Sequence, residues 1–164
     1  MKGTDKYLIV LVIGILLVTV VAVVVVAQRP GLERYQPDNT PEGVVFNYLL
    51  ALQQSDYERA YGYLSPDLPR GPADVEQMVD DLGWQLNGLQ DSQNHPSLSI
   101  DTSRAVGDTA VVTVGETHYY RGDLLSSGHT TSTFDAKVRK VEGAWKIVYS
   151  QDYWKQDWSS QRDR

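Results

Sequence analysis

The longest apolar stretch of the chain runs from Tyr7 to Ala27 and contains no charged residue. A helix rises ~1.5 Å per residue, so this stretch would span about 30 Å, the thickness of the hydrocarbon core of a bilayer. We therefore predict a transmembrane helix at residues 7–27, preceded by a short basic N-terminus at residues 1–6. A cleaved signal peptide is the alternative, but the apolar segment of a signal has roughly 7–15 residues.

Basic residues on the two sides of this helix give a small preference for one orientation. Lys2 and Lys6 precede the apolar stretch, and Arg29 and Arg34 follow it. Because basic residues are retained on the cytoplasmic side, this distribution slightly favours a cytoplasmic N-terminus. We expect a single-pass membrane protein whose polar remainder lies on the extracytoplasmic side.

A linker and then the first helix of the polar part are predicted after this apolar stretch. Residues 28–39 contain two prolines and no apolar period, which predicts a linker. Thr40-Pro41-Glu42 is a helix start, with a capping hydroxyl, a proline at the first position and an acid in the first turn. The apolar positions that follow share one predicted buried face: Val44, Val45, Tyr48, Leu49 and Leu52.

Two further helices and one ambiguous segment precede the strands. Ser55 and Glu58 form the pattern of a capping box, which predicts a second helix with Ala60, Tyr61 and Leu64 facing the core and Tyr63 exposed. A third helix is predicted from Pro72, with Gly83 as its C-cap and an apolar face of Val75, Met78, Val79 and Leu82. The segment Trp84–Leu89 fits a short strand or irregular structure.

From Ser97 the apolar period changes from helical to alternating, which predicts strands. We predict four strands, with turns at Gly107-Asp108 and Glu142-Gly143 and a longer loop at 121–127: Ser97–Arg104, Thr109–Tyr120, Thr130–Val141 and Trp145–Trp154. The predicted inward positions are Ala110, Val112, Val114, Phe134, Ala136, Val138, Trp145, Ile147 and Tyr149. Residues 40–154 would thus form one α+β domain, followed by a polar tail at residues 155–164.

Composition excludes several functions. The chain has a formal net charge of −6, and its first 29 residues are basic, so the remainder is near −8. Such a domain lacks the overall excess of basic residues that is typical of nucleic-acid binding. The chain contains no cysteine, which removes disulfides, thiolate nucleophiles and cysteine-ligated metals. Ten tyrosines and four tryptophans supply large side chains for the core.

Two segments resemble the nuclear transport factor 2-like superfamily. Its first long helix commonly ends in a pattern that matches Ser55, Asp56, Tyr57, Ala60, Tyr61 and Leu64, and its last two strands look like Lys140–Tyr149. The resemblance covers Thr40 to Trp154. It implies a cone of about three helices packed on a curved antiparallel sheet of about four strands. Members of the superfamily include ketosteroid isomerases, SnoaL-like cyclases, dehydratases, ligand binders and docking modules, so the resemblance implies a fold rather than an activity.

The open end of such a cone is where a pocket would lie. The inward face of the second strand continues to Glu116, His118 and Tyr120, and that of the fourth continues to Gln151 and Tyr153. Tyr48 and Tyr57 are placed to point inward from the helices. We take the pocket candidates to be Tyr48, Tyr57, Glu116, His118, Tyr120 and Gln151. A carboxylate base with a phenolic donor is what an isomerase needs, whereas solvated residues at the rim of the cone are the alternative.

No catalytic motif supports an enzyme. The sequence has neither G-x-S-x-G nor S-x-x-K, no glycine-rich phosphate loop and three scattered histidines. We therefore expect no catalytic residue, no metal and no cofactor. The sequence favours a membrane-anchored, non-catalytic domain that binds a protein partner or a small apolar ligand. An accessory subunit of a membrane complex and a SnoaL-like or isomerase-like enzyme are the alternatives. Trp154 and Trp158 would form a contact patch if exposed, or a lid if packed.

Overall fold

The computed structural model describes residues 11–12, 34–90, 95–121 and 127–159, without the side chains of Tyr120, Arg121 and Ser127. Among the described residues, no helix is both long enough and apolar enough to cross a membrane. The predicted span at residues 7–27 lies outside them, apart from Leu11 and Val12. The elements in chain order are α1 (Pro41–Gln53), α2 (Tyr57–Tyr63), α3 (Val75–Leu82), α4 (Trp84–Leu89), β1 (Ser97–Val106), β2 (Thr109–Arg121), β3 (Ser127–Val141), β4 (Ala144–Ser150) and a 3₁₀ turn (Gln156–Ser159).

Helix α1 begins where its sequence predicts and is the centre of the core. Thr40 is the N-cap, and its hydroxyl accepts a hydrogen bond of 3.1 Å from the backbone N–H of Gly43. The helix packs against all four strands and against α2 and α4. The prediction of a single buried face was too narrow, because Phe46, Asn47 and Leu50 are buried as well. A helix enclosed on all sides loses the polar stripe of a surface helix.

The short helices differ from their predictions at their starts. Helix α2 has Asp56 as its N-cap without a side-chain capping bond, so the predicted Ser55 capping box is absent and Ser55 has a φ of 60°. Tyr63, predicted to be exposed, is only 8% exposed. Helix α3 begins after Asp74, whose carboxylate accepts 2.8 Å from Gln77 N, rather than at Pro72. Gly83 is its C-cap, as predicted, and the ambiguous segment is the helix α4.

The four strands form one antiparallel sheet in the order β1-β2-β3-β4, as the short turns predict. Gly107 has a φ of 61° at the first turn, and Glu142 and Gly143 have φ values of 51° and 85° at the last. Left-handed φ at both central positions matches the right-handed twist of the two strands that the turn joins. Together with the helices this is the α+β class that the sequence predicts.

A β-bulge in β4 changes which side chains face the core. Lys137 pairs with Tyr149 and Val138 pairs with Ile147, which leaves Val148 as an extra residue in β4. One extra residue reverses the alternation beyond it. Tyr149 was therefore wrongly predicted to face inward, and Ser150, only 3% exposed, takes the inward position. Tyr149 instead lies beside Lys137, whose ammonium is 5.4 Å from the ring centroid.

The chain leaves the sheet at Ser150, so β4 is shorter than predicted. The segment that follows packs back on α3 and α4. The indole N–H of Trp158 donates 2.9 Å to the carboxylate of Asp81, which also accepts 2.5 Å from Lys155. Trp154 and Trp158 are 3% and 0% exposed and contact each other edge to face. The two tryptophans thus close the core, and the contact-patch alternative is wrong for them.

The residues before α1 are also tied to the domain. The side chain of Asn47 is fully buried, and it accepts 2.7 Å from Gln36 N and donates 2.7 Å to Gln36 O. A Cβ at Gly43 would lie 1.9 Å from the carbonyl oxygen of Pro37. Only glycine permits this close approach of the incoming chain to the helix. The end of the predicted linker is therefore held on α1.

Candidate functional site

Glu116 is the one carboxyl group in the described part of the chain that faces the core from the sheet. Strand β2 places Ala110, Val112 and Val114 on its inward face, and Glu116 follows at the next inward position, as predicted. Only 6% of Glu116 is exposed, because the core extends along β2 beyond these aliphatic positions. An ionisable group at this depth requires polar partners.

Tyr153 supplies the first partner. Its hydroxyl donates to Oε1 of Glu116 in a short hydrogen bond. The Tyr153 ring packs edge to face on Phe134, with the ring centroids 5.9 Å apart. Tyr153 reaches this position because the chain turns after β4 with a φ of 54° at this residue. Left-handed backbone costs a non-glycine residue about 1–3 kcal/mol, which the surrounding contacts must offset.

Tyr48 holds Tyr153 from the other side. This tyrosine of α1 is 1% exposed, and its hydroxyl donates 2.7 Å to the backbone carbonyl of Tyr153. Burial raises the pKa of the Tyr48 phenol far above its ordinary value. Burial, together with the hydrogen bond to Glu116, also raises the pKa of Tyr153. Both phenols therefore remain protonated donors throughout the physiological pH range.

His118 connects the buried carboxyl group to solvent. Its Nε2 lies 3.0 Å from Oε1 of Glu116, while its side chain is 48% exposed. The residue lies two positions beyond Glu116 on the same face of β2, so the two predicted candidates are brought together. The same carboxylate oxygen thus lies within reach of both a phenol and an imidazole. We call Tyr48, Glu116, His118 and Tyr153 the Glu116 cluster.

The other predicted pocket residues lie elsewhere. Tyr57 exchanges hydrogen bonds with the side chain of Gln90, which also donates 2.7 Å to the carbonyl of Leu52. Gln151 is exposed, because the bulge reverses its side, and its Oε1 accepts 2.8 Å from Asp135 N on the outer face. Tyr120 belongs to β2, but its side chain is outside the described residues. Of the six candidates, the structure brings together Tyr48, Glu116 and His118.

Sequence reasoning placed Tyr153 on the inward face but not among the site candidates. In the structure, a turn with left-handed backbone sets the position of Tyr153. Because the sequence has no glycine at that point, nothing local predicts this turn. The inference was right about the side it faces and wrong about the strand that carries it. The alternation that reached Tyr153 was counted along a continuous β4, whereas the chain leaves the sheet earlier.

In the Glu116 cluster, one oxygen of the buried carboxylate already has partners within the protein. An isomerase-type base needs a free lone pair directed at substrate, and here Oε1 accepts from Tyr153 and lies beside His118. Within the described ranges, no three His, Cys, Asp or Glu side chains come together as metal ligands. Buried hydrogen bonds among Tyr48, Glu116 and Tyr153 therefore join α1, β2 and the segment after β4.

A second candidate region lies between α2 and β4. A cavity of about 550 Å³ is lined by both elements and by residues 38 and 39, with Arg59 and Lys146 as its cationic groups. A neighbouring cavity of about 480 Å³ is lined by the end of α2, the loop after it and again Lys146. Gly62 borders both cavities, and the Lys146 ammonium donates 2.5 Å to its carbonyl oxygen. Sequence reasoning singled out neither Arg59 nor Gly62.

Comparison with solved structures shows the fold. A putative calcium/calmodulin-dependent protein kinase type II association domain from Thiobacillus denitrificans superposes with a TM-score of 0.50 at 13% identity, covering 72% of this chain and 95% of that one. An NTF2-like protein with a cystatin-like fold from Novosphingobium aromaticivorans gives 0.49 at 18% identity, covering 66% and 75%. The fold is nuclear transport factor 2-like, as the resemblance implied. No family model matches the chain, and no curated protein matches it. At these identities the likeness extends to the fold and not to an activity.

Proposed function

We propose that the protein is a single-pass membrane protein that presents a non-catalytic nuclear transport factor 2-like domain for docking to a protein partner. The uncharged apolar stretch at residues 7–27 is the support for the anchor, because its length matches the bilayer core. The domain lies on the extracytoplasmic side in this proposal, following the basic residues Lys2 and Lys6.

One observation carries the non-catalytic part of the proposal. The carboxylate best placed to act as a base, Glu116, is capped by Tyr153, and Tyr153 is itself fixed by Tyr48 and Phe134. The Tyr153 phenol thus occupies one oxygen of this carboxylate, Oε1. A carboxylate engaged in this way inside the domain favours interaction through the outer surfaces of the domain.

The test is capture of the full-length chain from its native membrane in a mild non-ionic detergent, followed by mass spectrometry. A tagged wild-type chain is compared with Glu116→Gln, which keeps the size and acceptor of the side chain but removes its charge. We expect the same partner in stoichiometric amount with both chains. A wild-type chain recovered alone contradicts docking, and a chain extracted by alkaline carbonate contradicts the anchor.

An accessory subunit of a larger membrane complex is a special case that the same experiment separates. Partners that are integral membrane proteins recovered in fixed ratio support the accessory subunit. A single soluble partner supports a free-standing docking domain. In an accessory subunit the apolar helix itself would contact the partner, whereas in a free-standing docking domain it would not. Replacing residues 7–27 with an unrelated single-pass helix tests this difference directly.

A second candidate function, an isomerase-like enzyme, is favoured by one feature of the Glu116 cluster. A buried carboxylate next to a phenol with a raised pKa is the acid–base pair that enolate chemistry uses. For this function, Tyr153 would have to leave the carboxylate and donate to the substrate oxygen. Turnover of a small ketone by the full-length chain, abolished in Glu116→Gln without loss of folding, would replace the docking proposal.

A further inference from the structure

The positive charge of the described domain is concentrated at the hairpin that joins β3 and β4. Lys137, Arg139, Lys140 and Lys146 lie within ten residues, with Glu142 as the acidic residue among them, in a chain of net charge −6. Arg139 pairs with Asp67 at 3.6 Å, and Lys140 lies 5.1 Å from the centroid of the Trp145 ring. On an acidic protein, a local basic surface attracts acidic partners to that side of the molecule.

The larger cavity between α2 and β4 opens beside this hairpin. Arg59 and Lys146 line it together with two apolar residues, Trp145 and Val44, which are 8% and 1% exposed. Asp38 is its acidic lining residue. The cavity therefore combines two cations with an apolar wall, and its volume of about 550 Å³ lies within the range of ordinary ligand sites, roughly 300–1,000 Å³.

Two contacts orient the guanidinium of Arg59 so that it can bind an anion. Its guanidinium carbon lies 3.5 Å above the ring of Tyr35, and its Nε donates 3.3 Å to the hydroxyl of Tyr63. Within the described residues Arg59 forms no salt bridge. A planar guanidinium fixed at Nε keeps its terminal nitrogens for a carboxylate, and less entropy is lost when that bond forms. Lys146 is likewise positioned by its bond to Gly62 O.

We infer that this cavity, which we call the α2–β4 site, binds an acidic peptide segment of the partner, with a carboxylate at Arg59 and Lys146 and an adjacent apolar side chain on Trp145. The inference rests on the proposed docking function and names the surface that performs it. Charge complementarity is the argument for an acidic peptide. Anionic lipid is the competing occupant, and the experiment below tells the two apart.

Gly62 allows the site to be blocked without disturbing the core. A Cβ added at Gly62 meets no atom within 4 Å, and Gly62 borders both cavities. Gly88 of α4 is a matched control, because a Cβ there also meets nothing within 4 Å. Gly62→Phe should therefore fill the mouth of the site. Gly88→Phe adds the same ring on α4, away from the site.

The experiment compares tagged full-length wild type, Gly62→Phe, Gly88→Phe and the double variant Arg59→Gln/Lys146→Gln in native-membrane capture. We expect Gly62→Phe to lose the partner and Gly88→Phe to retain it. The double variant should lower affinity about tenfold, which is what two partly exposed ion pairs contribute together. Equal thermal unfolding of Gly62→Phe and Gly88→Phe excludes misfolding as the cause.

The occupant is identified by a photo-cross-linking amino acid, benzoylphenylalanine, in place of Asn39, an exposed residue that lines the same cavity. The inference predicts an adduct with a partner peptide rich in Asp or Glu. A lipid adduct, or an adduct with a basic segment, overturns it. Capture of the same partner by wild type and Gly62→Phe overturns the site but leaves docking intact. Absence of any partner on the wild-type chain overturns the proposed function itself.

Discussion

The hydroxyl of Tyr153 is the most informative single group to remove. Tyr153→Phe keeps the ring contact with Phe134 and the backbone carbonyl that accepts from Tyr48, so it deletes only the bond to Glu116. A hydrogen bond to a charged group contributes about 1.5–3 kcal/mol to stability. Because Glu116 is 6% exposed, water does not readily replace the lost donor. We expect the free energy of unfolding to fall by about 2 kcal/mol.

Tyr48→Phe is the matched comparison. It also deletes one buried phenolic hydroxyl, but that hydroxyl donates 2.7 Å to a neutral carbonyl. A bond between neutral groups contributes about 0.5–1.5 kcal/mol, so this variant should be destabilised less than Tyr153→Phe. The assay is urea unfolding of the full chain in non-ionic detergent, followed by the fluorescence of the buried tryptophans. Equal losses in the two variants would mean that the charge on Glu116 does not strengthen its bond.

A double-mutant cycle isolates the pair. Glu116→Gln leaves an acceptor but no charge, so adding Tyr153→Phe to it should cost less than adding it to wild type. The coupling expected for residues in direct contact is about 1 kcal/mol, within the usual range of roughly 0.5–3 kcal/mol. Effects that add to within about 0.5 kcal/mol would refute the reasoning, because they would show that Tyr153 and Glu116 are independent.

Three further predictions concern pH and the start of α1. The folded state holds the phenolic protons of Tyr48 and Tyr153 more tightly than the unfolded state, where the phenol pKa is about 10. Stability should thus be unaffected by these groups below pH ~10 and fall above it, by up to about 1.4 kcal/mol per pH unit for each phenol; a slope unchanged in Tyr48→Phe would contradict this. Gly43→Ala should release the chain at Pro37 from α1, because its Cβ would lie 1.9 Å from the Pro37 carbonyl; limited proteolysis before residue 40 should become faster than in wild type. Thr40→Ala removes the capping bond to Gly43 and should cost about 1 kcal/mol, with Thr40→Ser restoring it in the same unfolding assay.

Several parts of the fold were determined locally and could be predicted. The start of α1 followed from a capping hydroxyl, a proline and an acid, all of which act within one turn. The last hairpin followed from Glu142-Gly143, whose backbone adopts left-handed φ. The inward position of Glu116 followed from alternation along β2, which continues without a bulge through its pairing with β3. His118 came with it for the same reason.

Other parts depended on partners far along the chain. The bulge at Val148 reversed Tyr149 and Gln151, and the sequence of β4 carries no glycine or proline that announces it. The exposure of Tyr63 was misjudged: the residue is only 8% exposed and lines a cavity together with Val44 of α1 and Trp145 of the last hairpin, both distant in sequence. The same holds for Trp158, whose partner Asp81 lies 77 residues earlier.

By itself, the sequence determined an uncharged apolar stretch of bilayer length, the order and type of most elements, the α+β class and the face that carries Glu116. These follow from short-range chemistry: hydropathy, helix capping, turn residues and strand alternation. The tertiary structure alone decided that Tyr153 donates to Glu116, that Gln151 faces outward, and that Arg59 and Lys146 line one cavity. Each of these depends on where a chain turn or a bulge brings residues that are distant in sequence, and such long-range packing leaves no local signal.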